Sequence, residues 1–233
     1  MKLYIGNKNY SSWSMRSGVL LTAFGIAHEE VLVRLDFSPG STFAATLKAA
    51  GGQSKVPLLV DDDGFAVWET LAIAETMAER HPEHAIWPRD AKSRARARSL
   101  AAEMHAGFGS LRSLCPMNIE AHLPEVGARL WASEPGLQRD MARIDALWCD
   151  ALAEVGNDGG GPFLFGAFGA IDAYFAPVVM RVTRFGLPLS EKAAAYTAAV
   201  EKHPAVVAWV TDALAEHDFI ADDEPYRSQA APK

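Results

Sequence analysis

An α/β N-terminal half followed by an all-α C-terminal half is the fold class this sequence predicts, and three observations predict it. Over about the first eighty residues, β-prone runs and helix-periodic runs alternate in the order βαβαββα. A proline-punctuated passage, His81-Pro82-Glu83-His84 through Trp87-Pro88-Arg89-Asp90, then ends that pattern. From Ala91 onward, helix formers recur at helical spacing and β-prone runs stop. The expected organisation is a first domain over 1–81, a linker over 82–90, a helical domain over 91–221 and a polar tail over 222–233.

The elements follow in chain order. Lys2 to Gly6 is a first strand, and Asn7 to Ser12 is a loop rich in cap formers. From Trp13 to Gly25 the apolar residues Met15, Val19, Leu20 and Phe24 share a helical face, with Gly25 as its C-terminal stop. Glu30 to Leu35 is a second strand, parallel to the first because a helix crosses between them. A weak helix over Phe43 to Ala50 ends at Gly51-Gly52. Leu58-Leu59-Val60, the turn Asp61 to Gly64, and Phe65 to Trp68 form an antiparallel hairpin. Thr70 to Arg80 is a helix carrying Leu71, Ala74, Met77 and Ala78. The second half reads as helical to Leu114, again from Leu123 to Val155, after Gly169, and over Ser190–Glu201 and Ala205–Glu216. Gly156 to Gly161 is a glycine-rich break.

Composition narrows the partners. A chain of 233 residues with 49% hydrophobic and 22% charged residues can bury a sizeable core. A net charge of −7 argues against nucleic acid and against a polybasic membrane surface. No apolar run approaches a membrane span and no leader precedes the first strand, so a cytoplasmic setting is expected. The two cysteines, Cys115 and Cys149, are too far apart in sequence for a CxxC redox pair or a zinc ribbon. No metal is expected.

The βαβαββα order is a thioredoxin-like layout, one that hosts many functions. Two details sharpen it. Pro57 sits at the start of a strand, where it loses no ladder bond in either isomer. Glu69-Thr70 stands where the hairpin hands over to a helix, presenting free backbone N–H groups. Val-Pro before a hairpin and Glu-Thr at the next helix start resemble the glutathione-binding half of a glutathione transferase. The resemblance implies that Val56 offers its backbone to the cysteinyl part of glutathione beside a cis Pro57, and that Glu69 and Thr70 hold the γ-glutamyl end. Lys55 and Gln53 would lie near the glycyl end, although both also suit a solvent-facing loop. With a helical second half, the resemblance covers nearly the whole chain. Leu164 to Pro177 resembles the family's folding module, with Gly169 at the cap position and Asp172 as a structural residue.

The family's reaction needs glutathione as a thiolate, whereas a free thiol with a pKa near ~8.5 is mostly protonated at neutral pH. Lowering that pKa by about two units takes about 2.7 kcal/mol. A hydroxyl donating to a charged acceptor supplies roughly 1.5–3 kcal/mol, and a helix N-terminus adds roughly 0.3–1 kcal/mol. A serine at a helix N-terminus therefore suffices. Tyr10-Ser11-Ser12-Trp13-Ser14-Met15-Arg16 opens the first helix, and its Ser-Ser-x-Ser-x-Arg resembles the zeta-class motif Ser-Ser-Cys-x-x-Arg. That match implies Ser11 as the thiolate donor, with Ser12 as a second donor and Trp13 against glutathione. Ser11 and Ser12 can also be read as helix caps only, and Tyr10 is a third candidate hydroxyl. Trp13 replaces the motif's cysteine, a departure that weighs against that class's isomerase activity. Met104, His105, Phe108 and Arg112 recur at three- and four-residue spacing and, with Tyr10, are the candidate acceptor pocket, although Met104 and Phe108 equally suit the core and His105 a satisfied interior position.

The activity so implied is glutathione transfer to a small hydrophobic electrophile by a homodimer, with Arg94 to Arg98 near the interface. A maleylacetoacetate-type isomerase that recycles glutathione and a non-catalytic binding protein are the alternatives.

Overall fold

The structure, a computed structural model, describes residues 1–155 and 160–227. Its first half runs β1 (Lys2–Ile5), α1 (Ser12–Ala23), β2 (Glu29–Leu32), α2 (Phe43–Ala49), β3 (Leu58–Val60), β4 (Ala66–Val67) and α3 (Thr70–Arg80). The sheet order is β2-β1-β3-β4, with β1 and β2 parallel and β3 antiparallel to both β1 and β4. This is the thioredoxin-like topology expected from the alternation of periods. Strand alternation divides the sheet's side chains between two packing layers. Leu3, Ile5 and Leu59 enter the large core shared with α1, α3 and the second half. Leu58, with Val33 and Leu35 beyond β2, packs with Phe43 and Leu47 of α2 in a smaller cluster. β2 is shorter than the expected Glu30–Leu35, because after Val33 N–H reaches Ile5 O (2.8 Å) the segment leaves the ladder towards α2.

The second half is all helical: α4 (Ala91–Ala106), α5 (Gly109–Leu114), α6 (Pro124–Ser133), α7 (Pro135–Val155), α8 (Ala170–Phe185), α9 (Glu191–Lys202) and α10 (Pro204–Ala215), with a 3₁₀ turn at Ala221–Asp223. Two long helical stretches read from sequence are in fact broken. The run to Leu114 stops at Gly107, where a Cβ would lie 2.7 Å from Glu103 O, and Phe108 takes a positive φ of 57°. Met104 and Phe108 therefore do not share one continuous helical face with Arg112. The run from Leu123 to Val155 splits before Pro135, which has no N–H for the preceding turn. The Gln138 side chain caps the freed Trp131 carbonyl at 2.7 Å.

α1 is the spine that joins the halves. It lies against α8 and α10, and Gly18 permits close approach: a Cβ there would meet Trp209 Cζ3 at 2.2 Å. Asp172, fully buried in α8, accepts the N–H groups of Gly169 (2.9 Å) and Leu164 (3.1 Å) and the Tyr196 hydroxyl (3.1 Å), a structural role as the sequence suggests. The segment read as a polar tail begins by packing back on the fold. Ile220 joins the α2-side cluster, Glu224 accepts the Tyr10 hydroxyl at 2.6 Å, and the Tyr226 hydroxyl donates to Leu114 O at 2.8 Å. Residues 228–233 of that tail, and 156–159 of the glycine-rich break, lie outside the described residues. No described helix is long and apolar enough to cross a membrane.

Candidate active site at the domain junction

A cleft of about 530 Å³ opens where the start of α1 faces the α4–α5 bend and α8. Its floor is the serine motif. Ser11 is the N-cap of α1, and its hydroxyl donates to Ser14 Oγ (2.7 Å) while accepting the Ser14 N–H (3.4 Å). Ser14 Oγ also accepts the Gly6 N–H (3.0 Å), so the Ser11 hydroxyl is engaged with its own helix start. Ser12 is placed differently. Its Oγ accepts from Arg181 Nη2 (3.1 Å), and its own O–H has no acceptor among the described residues. A cation bonded to the oxygen makes that free O–H the stronger donor. Tyr10 borders the cleft, but its hydroxyl is committed to Glu224, and burial with that carboxylate pushes its pKa up to about 12.

The residues expected around glutathione fall into two sets. Trp13, Lys55, Val56 and Glu69 line the cleft. The Val56–Pro57 peptide is cis, as is Trp68–Glu69. Glu69 is the N-cap of α3 and has no side-chain cap bond, which leaves its exposed carboxylate available in the cleft. Pro57 is buried behind this wall, and Gln53 is exposed outside it, Ser54 lining the cleft instead. Thr70 is 2% exposed, and its hydroxyl bonds to Tyr174 Oη at 2.6 Å across the domain contact rather than facing the cleft.

Of the candidate acceptor-pocket residues, Tyr10, His105 and Arg112 line the cleft, whereas Met104 and Phe108 are buried in the core. Trp13 organises this part of the cleft: its ring lies 4.2 Å from the Arg16 guanidinium, 5.2 Å from that of Arg112, and 5.0 Å from the His105 ring. Arg16 is buried and donates to Ser12 O (3.1 Å) and Tyr174 O (3.0 Å). Burial, reinforced by the neighbouring Arg181 and Arg112, lowers its pKa to about 9.

Arg181 and Asp223 are cleft residues that the sequence reading missed. Arg181 is anchored by Cys115 O (2.6 Å) as well as by Ser12, and burial lowers its pKa to about 10. A cation in the apolar run Val178-Val179-Met180-Arg181-Val182 was its one sequence signal. Asp223 had none, arriving from the folded-back C-terminal segment. Burial pushes the Cys115 thiol up to about 12, which disqualifies it as a nucleophile. His81, Glu83 and His84, side chains of a type that can ligate a metal, cluster after α3, and none lines the cleft.

A βαβαββα thioredoxin-like domain followed by an all-helical domain is the glutathione-transferase fold. A family profile described as glutathione S-transferase, N-terminal domain, matches residues 10–80. The maleylacetoacetate isomerase of Pseudomonas aeruginosa is 27% identical over 217 residues, covering 88% of this chain and 96% of that protein. That of Rattus norvegicus is 26% identical over 191 residues, covering 81% of each. A maleylacetoacetate isomerase from Methylobacterium extorquens AM1, whose crystal structure holds malonate and GSH, superposes with a TM-score of 0.61 at 25% identity, over 90% of this chain and 95% of that one. Residues 10–80 therefore match the glutathione S-transferase N-terminal domain, and the similarity to the two isomerases extends over most of the chain.

Proposed function

We propose that this protein is a glutathione-dependent cis–trans isomerase acting on a small dicarboxylate with an electron-poor double bond, of the maleylacetoacetate or maleylpyruvate type. The observation that carries the reading is the pair of guanidinium groups, Arg112 and Arg181, lining one cleft with the serine motif. Guanidinium forks suit carboxylates, and a cleft holding two of them suits a dianion better than a neutral electrophile. The relatives named isomerases, one of them crystallised with the dianion malonate, point the same way.

The donor set fits glutathione. Glu69 offers a carboxylate to an ammonium, Val56 a backbone to an amide, and Lys55 an ammonium to a carboxylate, all in the same cleft. Glutathione, when bound, supplies a thiolate that adds to the double bond and leaves again. Ser12, polarised by Arg181, donates to the sulfur and holds it ionised. Trp13, in place of the motif's cysteine, braces Arg16 and Arg112, so this reading uses no second thiol.

The test follows maleylacetoacetate or maleylpyruvate by proton NMR with glutathione present. Conversion to the trans isomer with total glutathione unchanged is expected. Stoichiometric loss of glutathione into a thioether would instead favour the transferase reading, to which Leu35, Phe37 and Phe43 at the cleft's apolar edge are suited. A homodimer is part of the proposal. Phe65 and Trp68, which flank β4 at its two ends, are 61% and 40% exposed, and a monomeric mass by light scattering would rule out a dimer.

A further inference from the structure

The cleft contains a titratable side chain that the thiolate chemistry does not use. His105 lies near the end of α4, is half-buried, and lines the cleft beside Trp13. Its Nδ1 is 2.9 Å from Tyr174 Oη, and Tyr174 Oη is 2.6 Å from Thr70 Oγ1. The three groups form a chain from the first residue of α3, through α8, to the cleft. Nε2 of His105 has no hydrogen-bond partner among the described residues.

The proton order along this chain follows from donor and acceptor strength. An imidazole nitrogen is a much better acceptor than an aliphatic hydroxyl, and a phenol is a better donor than an alcohol. Burial raises the Tyr174 pKa and keeps the phenol protonated, while the Arg16 guanidinium, 5.0 Å from its ring, partly offsets that shift. The stable arrangement is therefore Thr70 O–H to Tyr174 Oη, and Tyr174 O–H to His105 Nδ1. That order leaves the imidazole with its proton on Nε2.

Resting on the isomerase reading, we propose that His105 is a catalytic residue whose Nε2–H donates a hydrogen bond to the carbonyl oxygen conjugated with the substrate's double bond, and that Tyr174 and Thr70 are positioning residues that hold it in that tautomer. As the double bond loses its π pair, negative charge gathers on that oxygen. A donor already aimed there stabilises the charge without a proton leaving the ring. When the pair returns to carbon, His105 is unchanged. Arg112 and Arg181 hold carboxylates; His105 answers the charge that appears only during reaction. The assignment also explains why the Thr70 hydroxyl bonds to Tyr174 rather than facing the cleft.

The test has two readouts. Long-range proton–nitrogen NMR of protein labelled with ¹⁵N-histidine, at neutral pH and without substrate, should find His105 as the Nε2–H tautomer, shifting to a mixture in Tyr174→Phe. In isomerase assays, His105→Leu should lower kcat on the order of 10²-fold with KM within a few-fold, and His105→Gln, which keeps a donor, should recover much of the loss. An Nδ1–H tautomer in the wild type, or undiminished kcat in His105→Leu, overturns the proposal. A wild type without isomerase activity overturns the reading of the whole site and the donor role with it, and this outcome is recognised before any substitution is made.

Discussion

Replacing Ser12 by alanine should raise the thiol pKa of bound glutathione, and replacing Ser11 should not. Ser11 O–H is donated to Ser14 Oγ at 2.7 Å, so its proton is engaged within the helix start. Ser12 O–H has no acceptor among the described residues, and its oxygen carries the Arg181 bond at 3.1 Å. A hydroxyl donating to a charged acceptor contributes roughly 1.5–3 kcal/mol. At about 1.4 kcal/mol per pKa unit, Ser12→Ala should raise the thiol pKa by about one to two units. Ser11→Ala removes an N-cap instead, with a cost of about 1 kcal/mol in stability and a fall in Tm of roughly 2–4 °C for a chain of this size. Tyr10→Phe should leave the thiol titration unchanged, because that hydroxyl is held by Glu224. The assay is the ultraviolet absorbance of the thiolate against pH for each glutathione-saturated variant, with thermal melts alongside. A raised thiol pKa in Ser11→Ala with a wild-type titration in Ser12→Ala would refute the hydrogen-bond argument, and would return Ser11 to the role that the motif resemblance implies.

Three further outcomes are expected. Arg181→Met should raise KM for a dicarboxylate by roughly ten-fold or more while leaving a neutral electrophile's KM nearly unchanged, since a hydrogen-bonded charge contributes about 1.5–3 kcal/mol; equal effects on both substrates would count against an anion site. Gly18→Ala should lower stability by about 1–3 kcal/mol in urea titrations, because the new methyl meets the Trp209 ring that holds α10 against α1. Asp172→Ala leaves two buried N–H groups and the Tyr196 hydroxyl without their acceptor, and should reduce stability by about 3 kcal/mol or more; a melting temperature equal to wild type would show that another acceptor replaces the carboxylate.

The sequence by itself determined the order of elements and the serine-capped start of α1, because period, caps and turn residues are local properties. Val56 and Glu69 were expected at the site from the resemblance to glutathione transferases, and each stands at an element boundary and lines the cleft. Helix breaks were harder to see. Gly107 and Pro135 interrupt stretches whose residues otherwise favour one continuous helix, and only the packing shows which glycine or proline breaks it.

What tertiary structure alone decided is how the hydroxyls are used. Ser12 meets Arg181 across a separation of 169 residues, and Thr70 meets Tyr174 across 104. Neither pairing has a local signal, because each arises from α8 docking on α1, which also brings Tyr174 to the first residue of α3. The serine motif can be read in the sequence, but which serine keeps a free proton depends on which cation packs beside it.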